Sequence, residues 1–452
     1  MKAEKPPSDP GQETAKIQSH LRDSNEGRSF FRQSSWMISA NIVGSICILA
    51  VQAVIGNIPE SEFTLFNTLL QAMHLMMIPA LGIQAVFAYQ AASAVNEQQR
   101  LELATVLKGV IRGTFYLWCL ATLLSLPWMN FLIAQLRIIN PWVIPITILS
   151  GLMALWMPIS LGILQGFHNF FWLGNAGILN GIIRLGVILI LVFGFSVGSA
   201  GAMTAVILGM AAAVGAGWYQ YGFLLRCPRV DVDWKAWWKP IIPMTLALGA
   251  PMVLLYFNMV FVYWHLPVAE AKQFAAADNI ARGLVTFTTP IAGVMFPKIV
   301  TSQALSKSNR VLWLSVIGTM GLAGAIALVC YLFPHWPIRI IYFTSYLKFL
   351  QAEQWVRLYV WAVVPWPLTF VLINFLAAKR NFSFVPWAVA VITAYLCALL
   401  ALPYYQSDLS VSPLKTVLMI IGASNLALLA VCVQAVRRSG KSIPSRTGVE
   451  AH

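Results

Sequence analysis

EFTLFNTLLQAMHLMMIPALG, residues 62–82, and QFAAADNIARGLVTFTTPIAG, residues 273–293, are two largely apolar stretches that superimpose when the chain is shifted by 211 residues. Phe63 then falls on Phe274, Pro79 on Pro290 and Gly82 on Gly293. A shift of 212 lays Asn169 and Phe170 over Asn381 and Phe382. Few residues are identical, but the nearly constant offset indicates an internal duplication of about half the chain. The repeated stretches are also long and apolar enough to cross a bilayer, whose hydrocarbon core of about 30 Å takes about 20 residues of helix.

The rest of the chain has the same character. Of 452 residues, 59% are hydrophobic and 10% charged, and the mean hydropathy is +0.73. Water-soluble domains are near half apolar and a quarter charged, so no soluble fold could bury this much apolar surface. Apolar runs separated by charged or Pro/Gly-rich breaks predict twelve membrane spans, at 34–56, 63–94, 108–134, 141–165, 172–195, 199–225, 239–265, 271–297, 309–333, 355–378, 382–403 and 412–436. The expected fold is therefore an all-α integral membrane protein of about twelve helices. The segment from Asn96, NEQQRLELATVL, is polar and then amphipathic, and is expected to lie along the membrane surface.

The repeat spacing equals six spans. Because six is even, the two halves share one orientation, giving a parallel repeat about an axis along the membrane normal. The expected organisation is a disordered cytoplasmic tail (1–33), a first six-helix lobe (34–225), a cytoplasmic linker (226–238), a second six-helix lobe (239–436) and a cytoplasmic tail (437–452). Trp234, Trp237 and Trp238 in the linker are expected to anchor at the membrane interface.

Charge supplies the orientation. Thirty Lys and Arg face 16 Asp and Glu, but the basic residues sit in short gaps between apolar runs and do not form the exposed basic face of a nucleic-acid binder. The side that holds the N-terminus carries 21 Lys and Arg and the other side 6, while Arg112, Arg184 and Arg282 fall inside spans. Cytoplasmic loops retain positive charge, so both termini are expected in the cytoplasm. The six cysteines, five of them in apolar runs, show no metal-binding spacing and read as small core residues.

An ionisable group deep in a span costs roughly 3 kcal/mol on insertion scales and needs a partner, water or a ligand. Arg282 lies one helical turn after Asp278 in DNIARGLV. The pair reads either as an intrahelical ion pair or as a cation facing a central cavity. The repeat places Asn67 at the position of Asp278 and Gln71 at that of Arg282, so both halves carry polar groups at one depth, as a shared central site requires. Arg184 has no acidic neighbour on its own helix. It meets either amides and carbonyls such as Asn180 or the same cavity. His74, one turn beyond Gln71, and Asn41 and Asn258, in the first and seventh spans, complete the candidate substrate-binding set. No Walker loop, GxSxG elbow or pair of carboxylates inside the spans points to an enzyme, and no cofactor or metal is expected.

Three stretches carry a family resemblance: EFTLFNTLLQAMHLMMIPALGIQAVFAY from residue 62, GILQGFHNFFWLGNAGILNGIIRLGVILIL from residue 162, and ADNIARGLVTFTTPIAGVMFPKI from residue 277. With them the chain resembles the polysaccharide-exporter branch of the multidrug/oligosaccharidyl-lipid/polysaccharide (MOP) superfamily, the Wzx-like flippases. The resemblance implies a MATE-like arrangement of two six-helix lobes around a cleft lined by the first, second, seventh and eighth helices. It implies as cargo a polyprenyl-diphosphate-linked oligosaccharide, flipped from the cytoplasmic to the outer leaflet by alternating access for cell-surface polysaccharide synthesis. It implies that cavity arginines hold the diphosphate, and it leaves open a coupling ion, Na+ or H+, and contacts with other polysaccharide-assembly proteins besides membrane lipids. The alternative within the same fold is an ion-coupled multidrug exporter, which needs cavity carboxylates where the spans offer chiefly Asp278. A membrane glycosyltransferase or polymerase needs a sizeable outer domain, and the longest outer segment, 334–354, is too short to form one.

Overall fold

A computed structural model describes residues 36, 39–40, 42–94, 96–136, 138, 140–301, 305–405 and 412–441, with backbone course alone for 290–301, 305–311, 404–405 and 440–441. The expected first tail, the end of the second and Asn41 lie outside these residues. All regular structure among them is helical. Helix α1 is Ile42–Ile55. It is followed by α2 (Glu60–Met76), α3 (Ile78–Ser93), α4 (Glu97–Ser125), α5 (Met129–Gln135), α6 (Val143–Gly166), α7 (Phe170–Ile188), α8 (Gly198–Arg226) and the short α9 (Trp234–Trp238). The second half comprises α10 (Ile241–His265), α11 (Val268–Thr301), α12 (Leu305–Leu332), α13 (His335–Ile341), α14 (Glu353–Val363), α15 (Pro365–Ala378), α16 (Val385–Tyr405) and α17 (Pro413–Lys441).

Each predicted span coincides with one helix or one end-to-end pair. Among the described residues nine are long and apolar enough to cross a membrane unaided, and the bent pair α2/α3 makes ten. The chain is a multi-pass membrane protein. α11 carries Glu270, Lys272, Asp278 and Arg282 and runs unbroken for 34 residues. Its counterpart bends by 46° between α2 and α3. There Pro79 lacks the N–H that would bond to the carbonyl four residues back, and its ring crowds that carbonyl.

One sequence expectation fails. The segment from Asn96 does not lie apart on the surface but is the first third of α4, part of a 39-residue helical run to Gln135. Asn96 and Gln99 form a reciprocal capping box that starts the helix, and no proline follows before Pro127. Leu103, Ala104, Val106, Leu107 and Val110 are buried along one side. The linker tryptophans also divide. Trp234 and Trp238 are partly exposed, whereas Trp237 is buried, 6.0 Å from the Phe87 ring. The linker is tied to the first half through Val230 N–H, which donates to Thr105 Oγ1 at 3.1 Å, and through Lys108 Nζ, which donates to the Cys227 carbonyl.

The duplication is visible in backbone geometry. α6 ends in a left-handed residue, His168 at φ 55°, and α15 in Arg380 at φ 53°. The Asn169 N–H donates to the Leu164 carbonyl at 3.0 Å, and the Asn381 N–H to the Leu376 carbonyl at 2.9 Å. His168 and Arg380 likewise donate to Gln165 and Ala377. Donors and acceptors are all related by 212 residues, so one helix-ending motif closes the fourth span of both halves.

Within the first half, α6 packs on α3 and α8, and α7 on α8. α1 approaches α7 backbone to backbone: a Cβ on Gly44 would lie 2.8 Å from the Gly177 carbonyl oxygen, the close approach that small residues permit between membrane helices. In the second half α11 packs on α12, α14 and α15, and α17 on α14, α15 and α16. The halves meet where α10 lies against α2 and α3, and where α2 meets α11.

Candidate functional site

The junction of α2 and α11 brings most of the candidate residues together. Asp278 is fully buried, and its Oδ1 accepts from the Tyr359 hydroxyl of α14 at 2.6 Å. That hydroxyl in turn accepts from Asn258 Nδ2 of α10 at 2.6 Å. Arg282 Nη2 lies 2.8 Å from Asp278 Oδ2. That oxygen has no aligned hydrogen bond, so the contact is one of charge more than of directed donation. The same Nη2 donates to Asn279 Oδ1 at 2.6 Å. Asn279 Nδ2 faces Gln52 Oε1 of α1 at 3.0 Å, Asn67 Oδ1 of α2 at 3.1 Å and the Tyr342 hydroxyl at 3.1 Å. A polar chain thus joins five helices and crosses between the halves. Asn67 meets Asn279, one residue from its sequence counterpart Asp278, as expected of positions beside the axis that relates the halves.

The first half contributes a second group. Gln71, fully buried, faces His74 Nδ1 through its Oε1 at 3.3 Å. The His74 ring stacks on Tyr256 of α10 at 4.7 Å between centroids. Arg184 is 4% exposed, and its Nε and Nη2 have no acceptor among the described residues. Asn180 is not its partner, because the Asn180 Oδ1 is itself unpaired. Both side-chain stems press against α8, where a Cβ on Gly209 would lie 2.7 Å from Asn180 and 3.1 Å from the Arg184 Cβ. Arg184 and Arg282 lie within electrostatic reach of each other and of His74. Gln71 Nε2 is a further buried donor without an acceptor.

The structure therefore gathers Arg282, Asp278, Asn67 and Asn258 into one network, with Gln71, His74 and Arg184 beside it. Of the two readings of Arg282, the structure shows the ion pair with Asp278. Gln52, Asn279, Tyr256, Tyr342 and Tyr359 were not singled out. Asn279 sits inside the DNIAR motif, adjacent to a residue that was. The tyrosines carry no sequence signal that separates a buried hydroxyl from an interfacial ring. Among the described residues no group of three His, Cys, Asp or Glu side chains is placed to hold a metal.

This architecture is that of known membrane transporters. The chain superimposes on an inward-facing multidrug-resistance MATE family transporter of the MOP superfamily with a TM-score of 0.70, over 90% of this chain and 98% of that one, at 13% identity. An outward-facing transporter of the same family gives 0.64 over 92% and 96%, at 14% identity. The lipid II flippase MurJ in an inward closed conformation gives 0.68 over 90% and 87%, at 13% identity. No family model and no curated protein matches the sequence. The chain is an all-α membrane protein with the fold shared by MATE transporters and that flippase.

Proposed function

We propose that this chain is a transporter that flips a polyprenyl-diphosphate-linked oligosaccharide from the cytoplasmic to the outer leaflet by alternating access, for cell-surface polysaccharide synthesis. The observation that carries the reading is Arg184, a buried guanidinium whose Nε and Nη2 have no acceptor, and which has no carboxylate partner, among the described residues. An isolated buried charge is costly, and two guanidiniums against the single carboxylate of Asp278 leave one positive charge uncompensated. A diphosphate supplies the missing charge, and its oxygens match the paired donors of arginine. On this reading Gln71, His74, Asn67 and Asn258 would meet the head group, while the polyprenyl tail stays in lipid.

On this reading the halves 34–225 and 239–436 are the two moving lobes, joined by the linker 226–238. The protein sits in a bacterial inner membrane with both termini cytoplasmic, as the charge asymmetry supports. Outward movement of an anion is favoured by an inside-negative potential by about 2.3 kcal/mol per charge per 100 mV across the full field. The likeness to solved structures suits a multidrug exporter equally well. The interior charge favours the anion, since a cationic drug would meet two arginines and a carboxylate already paired.

The test is ligand-dependent stabilisation of the purified protein. A ligand at 100 times its Kd stabilises by about 2.7 kcal/mol. Polyprenyl diphosphate is expected to raise the unfolding temperature, whereas uncharged polyprenol and a lipophilic cation are not. Stabilisation by the cation alone would overturn the substrate reading in favour of drug export.

A further inference from the structure

The segment between α12 and α14 belongs to the second half, yet Tyr342 and Phe349 within it are buried against the first. Tyr342 and Phe349 are 0% and 1% exposed and stack on each other at 4.2 Å. Phe63 of α2 packs on them at 6.0 and 5.1 Å. Gly56, just after α1, leaves the notch that admits them: a Cβ there would meet Tyr342 Cδ1 at 2.7 Å and Ser345 Oγ at 2.8 Å. Thr344 Oγ1 donates to Asn57 Oδ1 at 3.1 Å across the same seam. Beside it, Lys272 of α11 is 4% exposed, lies 5.1 Å from the centre of the Phe349 ring and pairs with Glu60 of α2 at 2.5 Å.

From this geometry we infer that residues 335–352 are a plug that closes the end of the interior at which α2 and α11 begin, and that the Lys272–Glu60 pair is its latch. Three features identify a part that opens. The segment consists of a seven-residue helix and a 3₁₀ turn, too short to span the bilayer. Its apolar seals and the ion pair connect different halves, so parting the halves breaks them together. Glu60 is more than half exposed at its side chain, so water already reaches one partner, and separation would hydrate Lys272 instead of stranding it. The inference deepens the transport reading and rests on it for its purpose, since alternating access requires a seal at each end. By the charge asymmetry this end is the outer one.

The test measures access without requiring transport. Thr64, fully buried beneath the latch, is replaced by cysteine in a chain whose six native cysteines are removed, and a membrane-impermeant maleimide is added from outside. Glu60→Gln leaves Lys272 unpaired in the closed form and is expected to raise the labelling rate at least tenfold. A disulfide between cysteines at Asn57 and Thr344, added to the same Thr64→Cys chain with Glu60 intact, is expected to lower it below the parental rate, reversibly with reductant. Parental labelling in either variant, at matched membrane abundance, overturns the plug. Labelling that responds as expected in a protein that polyprenyl diphosphate does not stabilise leaves the plug standing and removes the substrate reading. Normal flipping with the disulfide fully formed does the opposite.

Discussion

Removing Arg282 should cost far more stability than removing Arg282 and Asp278 together. In Arg282→Ala the Asp278 carboxylate, fully buried, keeps only the Tyr359 hydroxyl. Breaking a buried pair from one side costs about 3 to 5 kcal/mol, because the remaining charge has no compensation. Asp278→Ala is milder, since Arg282 retains Asn279 at 2.6 Å and its side chain is 13% exposed. A lost hydrogen bond to a charged group of this kind is worth about 1.5 to 3 kcal/mol. The double variant strands no charge beyond Arg184, which is unpaired in the parent as well, so its loss should fall below that of Arg282→Ala, with a coupling of about 2 kcal/mol or more. Denaturant unfolding in detergent, followed by the fluorescence of the 17 tryptophans, measures all three. Binding then separates structure from function. If Arg282 holds the diphosphate, the double variant regains stability but binds polyprenyl diphosphate roughly ten- to a hundred-fold more weakly. Wild-type binding by the double variant would make Arg282 a structural partner only. Wild-type stability of Arg282→Ala would refute the ion pair itself.

Two further outcomes are expected. Arg184→Met removes an uncompensated buried charge at similar volume and should raise stability by about 1 kcal/mol or more, while abolishing the stabilisation that inorganic pyrophosphate gives the parent; a less stable variant would mean that Arg184 already has a partner. Gly82→Ala places a Cβ 2.7 Å from the Ile241 carbonyl oxygen and from Thr245 N, so it should pry α3 from α10 and speed cytoplasmic-side labelling of a cysteine at Thr245 at least threefold, and unchanged labelling would show that the seam yields without opening.

What could be read in the sequence was what repeats or costs energy. The twelve spans follow from runs of apolar residues, and the duplication from Phe63, Pro79, Gly82 and the Asn-Phe pairs. The left-handed turns at His168 and Arg380 show why Asn169 and Asn381 recur: each closes a helix through its N–H. Asp278 and Arg282 stood out because charge inside a span demands an explanation. Their partners did not, because a tyrosine hydroxyl at 359 or 342 looks the same whether it faces lipid headgroups or a buried carboxylate. The surface placement of the Asn96 segment failed because its polar start and amphipathic course were weighed without its helix cap. The reciprocal cap of Asn96 and Gln99 makes that polar stretch the start of a helix. The outer segment 334–354 was measured only by its length, and nothing local in it reveals that Tyr342 and Phe349 fit a notch at Gly56 in the other half.

The hydrogen bonds themselves connect the candidate site to the plug. Asn279 accepts from Arg282 through its carbonyl oxygen, and its amide nitrogen faces the Tyr342 hydroxyl and the amides of Gln52 and Asn67. Two N–H bonds cannot satisfy three acceptors at full strength, so this amide is shared, and Tyr342 is the member that lies in the short segment between α12 and α14. An anion that draws Arg282 toward Arg184 competes with Asn279 for the same Nη2. Losing that contact frees Asn279 to turn, and the amide that steadies Tyr342 turns with it. On the proposed reading, cargo would therefore weaken the outer seal from within through one side chain, with no carrier longer than Arg282, Asn279 and Tyr342. The twofold arrangement makes this economical in residues: the positions that touch across the axis are those nearest the repeat partners, so a change at the centre is felt by both halves at once.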